Sequence, residues 1–342
     1  MDKDNNLADT KQLSEQSSDL PESRERPKPV PGRTELRTAL VLPTMNAGKL
    51  FVRWIDAVKS QTFIPERMVV IDSSSTDSTP DLAKEAGMEV ISIPSDQFSH
   101  GGTRQMAAEM LAEFDLILFL TQDAILSQEK SIERLVGCCC DPGVGAAYGR
   151  QLPREGAGCI EAHARLFNYP PSSHVRDLTD APRVGIKASF ISNSFSVWRR
   201  KALMEIGGFP RHTIQNEDAW AASKLLQTGW KIAYSAEAVV RHSHNYSYMQ
   251  EFRRYFDIGV FHSRESWIRE TFGEAGGEGL HYIRSEISYL ARHAPLTIPS
   301  ALLRDSLKLV GFKLGNHEAL LPTRLKKQLS MNKRYWQRGN KP

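Results

Sequence analysis

The stretch Thr38-Ala-Leu-Val-Leu-Pro43-Thr-Met-Asn46 decides the fold class. A short apolar run closed by proline and small polar residues reads as a strand buried on both faces. The same phrase returns twice, in Met68-Val-Val-Ile-Asp72-Ser-Ser-Ser-Thr76-Asp77 and in Leu116-Ile-Leu-Phe-Leu-Thr121-Gln-Asp123. The segments between them have helical spacing. Residues 49–60 set Leu50, Phe51, Trp54, Ile55 and Val58 on one face. Residues 79–86 open with Thr79 as N-cap and Pro80 at the first helical position. Residues 89–93 predict a further strand and 103–113 a further helix. Strand–helix–strand units of this length imply parallel strands with right-handed crossovers. The expected class is therefore α/β with an open sheet. Ligands of such sheets bind just beyond the carboxyl ends of the strands, where Asp72 and Asp123 stand.

Further along, residues 141–184 are rich in Pro and Gly and read as loop. Residues 187–198 read as a strand pair or a strand with a turn, and 199–206 as a short helix stopped by Gly207-Gly208. Residues 218–228 predict a helix with Gly229 as its C-cap. Residues 231–234 and 238–241 predict two short strands. Beyond Asn245 the pattern turns helical, over 250–270, 281–293 and 300–314. A basic amphipathic element at 324–338 carries Leu325, Leu329, Tyr335 and Trp336.

Composition bounds the function. With 40% apolar and 25% charged residues the chain is an ordinary soluble globular protein. A net charge of +4 is too small for nucleic acid to be the main partner. Its distribution is uneven: from Pro322 onward there are seven Lys or Arg and no acid. Such an end suits an anionic surface, or is simply solvated. Cys138, Cys139, Cys140 and Cys159 have neither zinc-site spacing nor the look of a disulfide framework. No apolar run reaches the roughly 18 residues of a membrane span. The polar, acidic start is unlike a signal peptide. A cytoplasmic protein is expected, with residues 1–33 a disordered polar tail.

Five motifs carry chemistry. Asp72, directly after a buried strand, can accept hydrogen bonds from a base or ribose, or can serve as loop punctuation. Asp123, in Thr121-Gln122-Asp123, can hold a divalent ion that bridges phosphates, or can cap a turn. In Ser99-His100-Gly101-Gly102-Thr103-Arg104, two glycines let backbone approach an anion. Arg104 in a first helical turn opposes the helix dipole and needs a negative partner, which a diphosphate would supply. In Asn216-Glu217-Asp218, two acids suit a helix N-terminus, and one can be a general base. In His242-Ser-His244, residues i and i+2 share a face of a strand. Both imidazoles can face a metal, or one can bind it while the other meets phosphate.

Taken in order, these motifs resemble the inverting family 2 glycosyltransferases of the GT-A fold, over about Thr38 to Tyr248. Within that family the chain is most similar to bacterial rhamnosyltransferases. The narrower likeness lies in Phe98-Ser-His-Gly-Gly-Thr-Arg104, Phe190-Ile-Ser-Asn193-Ser194, Gly207-Gly-Phe-Pro210 and His242-Ser-His-Asn-Tyr-Ser247. Arg253-Arg-Tyr-Phe-Asp-Ile-Gly259 and Leu329-Ser-Met-Asn-Lys-Arg-Tyr-Trp336 add to it.

The resemblance implies a Rossmann-like sheet with an acceptor-side subdomain and a C-terminal helical extension. The implied divisions are 34–148 for the nucleotide-sugar half, 149–248 for the acceptor and catalytic half, and 249–342 for the helical region. It implies that Pro43, Thr44 and Asn46 line the nucleotide pocket, that Asp72 meets the base, and that Ser74 and Gln122 lie beside it. Arg104 lies near the base or diphosphate. Asp123 is the metal-binding acid of a DXD-type motif whose first acid is missing here. His242 is the second ligand to Mg or Mn and His244 is next in line. Asp218 is the catalytic base, and Asn193, Trp198, Gly207, Gly208 and Glu217 sit toward the acceptor. The implied donor is dTDP-L-rhamnose and the implied acceptor a saccharide or lipid-linked oligosaccharide. The basic C-terminus is the expected contact with the cytoplasmic face of an inner membrane.

Three other readings compete. A non-catalytic sugar-nucleotide or polysaccharide-binding module would keep the fold but has no need of Asp218. A metal-dependent nucleotidyltransferase would show a Gly-rich basic loop near the first strand, which Pro43-Thr-Met-Asn46 is not. A dinucleotide dehydrogenase would show Gly-x-Gly-x-x-Gly there.

Overall fold

The computed structural model describes residues 36–273 and 277–337. The tail expected at residues 1–33 lies outside the described residues. The strands are β1 Thr38–Thr44, β2 Arg67–Asp72, β3 Glu89–Ser92, β4 Leu116–Leu120, β5 Ile125–Leu126, β6 Val144–Leu152, β7 His174–Arg176, β8 Phe195–Arg199 and β9 Lys231–Arg241. They form one sheet in the order β3-β2-β1-β4-β8-β6-β9-β5, with β7 also paired to β9. The first four pair in parallel, as the alternating pattern predicts. β8 then runs antiparallel to both β4 and β6.

Period-two alternation divides the core between the two sheet faces. Ala39 and Val41 enter one apolar cluster and Leu40 and Leu42 the other. The second cluster is covered by Phe51, Trp54 and Val58 of helix Leu50–Lys59. The first takes Ala107 of helix His100–Met110 and Ala221 and Leu225 of helix Glu217–Gln227. It also takes Phe256, Val260, Phe261 and Trp336 from the C-terminal region. The helical extension therefore shares the core of the sheet face that carries Glu217–Gln227.

The structure differs from the sequence reading in three places. Residues 141–184 are not loop, because β6 and helix Cys159–Asn168 lie within them. The glycines of β6 mark close packing. A Cβ at Gly149 would stand 2.3 Å from the Phe195 ring, and one at Gly145 3.0 Å from Trp230. At 187–198 the strand with a turn is what forms: a 3₁₀ turn, Gly185–Ser189, precedes β8. The two strands expected at 231–241 are one strand, β9. Its register against β6 shifts between Gly149 and Arg150, as a bulge requires. The long helix expected at 250–270 breaks at Glu265 into Tyr248–Arg264 and Ser266–Phe272. The Glu265 carboxylate accepts the indole N–H of both Trp220 and Trp267.

Helix Tyr248–Arg264 opens with a capping box in which Ser247 and Gln250 bond each other's backbone N–H. It packs backbone to backbone on helix Ile298–Asn316. A Cβ on Gly259 would meet the Phe312 carbonyl oxygen at 2.2 Å, and one on Gly315 the Phe256 carbonyl oxygen at 2.0 Å. Backbone cannot yield as a side chain can. Gly315→Ala is expected to cost about 1–3 kcal/mol, read as a lower urea midpoint at unchanged slope.

The basic C-terminal segment is held down. Helix Thr323–Leu329 leads to residues 330–332, where the Asp257 carboxylate accepts the Met331 and Asn332 backbone N–H groups, each at 3.0 Å. Burial pushes the Asp257 carboxyl up to about 6 against these bonds and the one from Ser330. The Arg264 guanidinium lies over both the Tyr335 and Trp336 rings. No helix among the described residues is long and apolar enough to cross a membrane.

Candidate active site

The carboxyl ends of β1, β2 and β4 bring three loops together. Asp72 is 2% exposed and accepts from Thr44 Oγ1 at 2.9 Å, Ser75 Oγ at 2.6 Å and the Ser75 backbone at 2.9 Å. Asn46 Oδ1 accepts the Thr76 N–H, and Asn46 N–H donates to Ser75 Oγ. Gln122 closes a two-way amide pair with the Met45 backbone, at 2.8 and 3.1 Å. Ser74 spends its hydroxyl on the Ile93 carbonyl. Asn46 and Ser74 hold left-handed backbone, at φ 47° and 62°. Non-glycine residues keep such a conformation where surrounding bonds over-determine it, which is common at ligand sites. Pro43, Thr44, Asn46, Asp72, Ser74 and Gln122 thus belong to one pre-formed cradle.

Beside it stands a cluster of one acid and two imidazoles. Asp123 Oδ2 lies 3.3 Å from His242 Nε2 and 3.6 Å from His244 Nδ1. One ligand atom from each residue fits within 4.8 Å of the others. The tautomer of His242 follows from its other nitrogen. Nδ1 is 2.9 Å from Gln151 Oε1, and that oxygen also accepts from Arg165 Nη1 at 2.7 Å. An oxygen facing a guanidinium is an acceptor, so His242 Nδ1 carries the proton. Nε2 then offers its lone pair toward Asp123.

Burial lowers the pKa of His242, with the Asp123 contact opposing it. Burial, then the neighbouring His242, pushes His244 down to about 3. Burial of Asp123 would raise its pKa, but its contact with His242, then with His244, holds it below the usual carboxylate range. The His242 Nε2 lone pair facing a carboxylate calls for a cation between them, and His244 Nδ1, 3.6 Å from the same oxygen, can turn its own lone pair to that cation. Neighbouring donors of a six-coordinate shell stand about 3 Å apart, close to the spacing here. One carboxylate with two imidazoles suits Mn²⁺ and is compatible with Mg²⁺.

The third group lies at the start of helix Glu217–Gln227, behind Asn216 at φ 60°. Its two acids divide. Glu217 is buried against Arg104 Nη1 at 2.7 Å and takes the Asn193 side-chain amide at 3.2 Å. Burial would raise Glu217, yet Arg104 and then His100 hold it low. Half-buried Asp218 accepts the Asn193 backbone N–H at 3.1 Å and its own helix's Ala219 N–H at 2.9 Å. Burial, followed by the Glu217 charge next to it, raises Asp218 to about 7. A carboxylate so placed is a base poised near neutrality.

One loop joins the two clusters. Ser192 Oγ accepts from Gln151 Nε2, which ties it to His242. Asn193 serves Glu217 and Asp218, and the Ser194 carbonyl accepts the Thr121 N–H beside Asp123.

Other expected site residues act from further back. The negative partner that the protein itself gives Arg104 is Glu217. Gly101 and Gly102 lie inside helix His100–Met110, which Ser99 caps. A Cβ on Gly101 would fall 1.9 Å from the Pro210 carbonyl oxygen, so this glycine serves packing rather than an anion. Trp198 is fully buried and donates its indole N–H to Asn193 Oδ1 at 2.8 Å, positioning the loop from below. Gly207 and Gly208 form a left-handed turn, in which a Cβ on Gly208 would strike Gln105 at 2.0 Å.

Comparison with known proteins agrees with this geometry. Residues 39–207 match glycosyl transferase family 2. The chain is 47% identical to the O-antigen chain rhamnosyltransferase RfbN of Salmonella typhimurium, over 88% of this chain and 96% of that protein. It is 45% identical to the O-antigen chain rhamnosyltransferase WbaN of Salmonella anatum, over 87% and 95%. The chain belongs to glycosyl transferase family 2. In fold it is similar to the mannosyltransferase PcManGT of Pyrobaculum calidifontis, solved with GDP-Man and Mn²⁺. That match has a TM-score of 0.51 at 18% identity and covers 88% of this chain and 85% of the other. The fold is GT-A.

The glycosyltransferase carries functional groups that sequence reasoning missed. Gln151 and Arg165 orient His242 from 91 and 77 residues away. Polar residues behind metal ligands set the ligands' orientation and basicity. Gln151→Leu is expected to weaken Mn²⁺ binding by about 10- to 100-fold, read by titration calorimetry, with little change in melting temperature.

Proposed function

We propose that this glycosyltransferase moves L-rhamnose from dTDP-β-L-rhamnose to a hydroxyl of a saccharide acceptor, with inversion. The observation that carries the reading is the 47% identity to an O-antigen chain rhamnosyltransferase across nearly the whole of both chains. Asp218 takes the proton of the acceptor hydroxyl. That oxygen forms the new bond to the anomeric carbon as the bond to dTDP breaks on the opposite face, which leaves an α-L-rhamnoside. The Glu217 charge adds to burial in keeping Asp218 basic enough for this step, Arg104 opposes it, and Asn193 N–H fixes the aim of Asp218.

Asp123, His242 and His244 are the residues that would hold a divalent cation. Bound there, Mg²⁺ or Mn²⁺ supplies charge neutralisation for the departing diphosphate. The cradle around Asp72, Asn46 and Gln122 receives the nucleoside. The acceptor is a growing saccharide chain carried on lipid, which puts the enzyme at the cytoplasmic face of the inner membrane.

The test is donor hydrolysis by purified protein with Mn²⁺ across dTDP-L-rhamnose, UDP-glucose, UDP-galactose and GDP-mannose. Release of dTDP well above the other nucleotides is expected. Preference for another donor would discard the sugar and keep the mechanism. Absence of turnover and of binding with all four would favour the non-catalytic module.

A further inference from the structure

Helix Ile298–Asn316 is amphipathic in the wrong sense for a protein in water. Its inward side carries charge. Arg304 lies 3.3 Å from Glu251 and donates to the Tyr246 carbonyl at 2.7 Å, and Lys308 pairs with Asp305 at 3.0 Å. Gly311 and Gly315 fill the rest of that side against helix Tyr248–Arg264. The outward side holds Leu302, Leu303, Leu309, Val310 and Leu314, all exposed. Separated mostly by four, seven, eight and eleven residues, they fall on one side of the helix, which Ser306 and Lys313 share. Leu296 ahead of the helix is 95% exposed, and Leu320 behind it 81%. A water-facing helix normally turns its leucines in and its charges out. A contiguous apolar face of this kind marks an interaction surface.

The charges around this face identify what covers it. Between residues 279 and 337 the acids are Glu286, Asp305 and Glu318, and none is exposed. Glu318 is taken by Arg264 and Lys326, Asp305 by Lys308, and Glu286 by the Tyr282 hydroxyl. Arg292, Lys313, Arg324 and Lys333 are exposed in the same span. The surface of this C-terminal span is thus basic, with Lys313 on the leucine-bearing helix itself. A second copy of the chain would bring like charges together, whereas an anionic bilayer complements both features.

We propose that the outward face of helix Ile298–Asn316, with Leu296 and Leu320 at its two ends, lies in the headgroup region of an anionic membrane. The backbone contacts at Gly259, Gly311 and Gly315 hold the helix rigidly in that presentation. At about 28 Å the helix is long enough to lie flat as a docking edge. Its inward side reaches the catalytic site. Arg304 holds the Tyr246 carbonyl, and the Tyr246 ring stacks on His244 at 4.9 Å. The lipid contact therefore comes from this helix, while residues 330–337 of the basic end are docked on the protein. This deepens the reading of a lipid-borne acceptor and is independent of the donor sugar.

The test is flotation of the purified full-length protein with vesicles of phosphatidylcholine alone or with phosphatidylglycerol. The expected result is binding to the anionic vesicles, reduced but not abolished by salt. It should weaken at least roughly tenfold in Leu303→Asp/Leu309→Asp. That variant keeps the parent's donor hydrolysis without vesicles, which shows it is folded. It also separates a failure of docking from a failure of the donor reading. Equal vesicle binding by parent and variant, or no binding by either, would overturn the proposal. So would a dimer in light scattering that the variant converts to monomer while vesicle binding stays absent.

Discussion

Asp218→Asn lowers the transfer rate by about a thousandfold while the affinity for the sugar nucleotide stays within a factor of about two. The amide still accepts the Asn193 N–H, so the loop holds, but it cannot take a proton from the acceptor. The pH profile gives a second signature. Burial and the Glu217 charge raise Asp218 to about 7. A general base works when ionised, so activity is high above that value. It falls by about tenfold per unit as pH drops below it. Glu217→Gln removes the neighbouring negative charge while keeping an oxygen for Arg104. The limb of the profile then moves to lower pH. A limb that does not move when Glu217 is neutralised would assign the titration to another group.

Asp123→Ala removes the anionic member of the Asp123, His242 and His244 cluster. Transfer should fall by roughly a thousandfold or more, because the diphosphate then departs without its neutralising cation. Mn²⁺ binding should disappear with it, as followed by calorimetry on the free enzyme. Full transfer by this variant, with or without added Mn²⁺, would remove the metal from the account.

The parallel half of the sheet was legible because β1, β2 and β4 are continuous apolar runs closed by Pro43-Thr44, Asp72 and Thr121-Gln122-Asp123. The antiparallel half was not. β6 hides behind Gly145 and Gly149, whose role is to let Trp230 and Phe195 pack close. A glycine needed for close approach looks the same in sequence as one needed for a turn. β9 looked like two strands because its bulge falls at residues 235–239.

Within the site, Asp123, Asp218 and the two histidines could be named from their motifs. Their wiring could not. Arg104 meets Glu217 across 113 residues and His242 meets Gln151 across 91. No local pattern reports such pairs, and the sequence around Arg104 does not point to Glu217. The C-terminal helices carry the opposite lesson. Leucines at helical spacing predict a buried face, yet in Ile298–Asn316 the buried face is made of glycines and paired charges.

The stereochemistry of the product tests the central claim most directly. Enzyme, Mn²⁺, dTDP-β-L-rhamnose and a saccharide acceptor are incubated, and the anomeric carbon–hydrogen coupling of the new glycoside is read by NMR. A single displacement driven by Asp218 gives an α-L-rhamnoside, absent when Asp218→Asn replaces the parent. A β-linked product would mean retention, and would contradict a mechanism in which one base activates one acceptor for one attack.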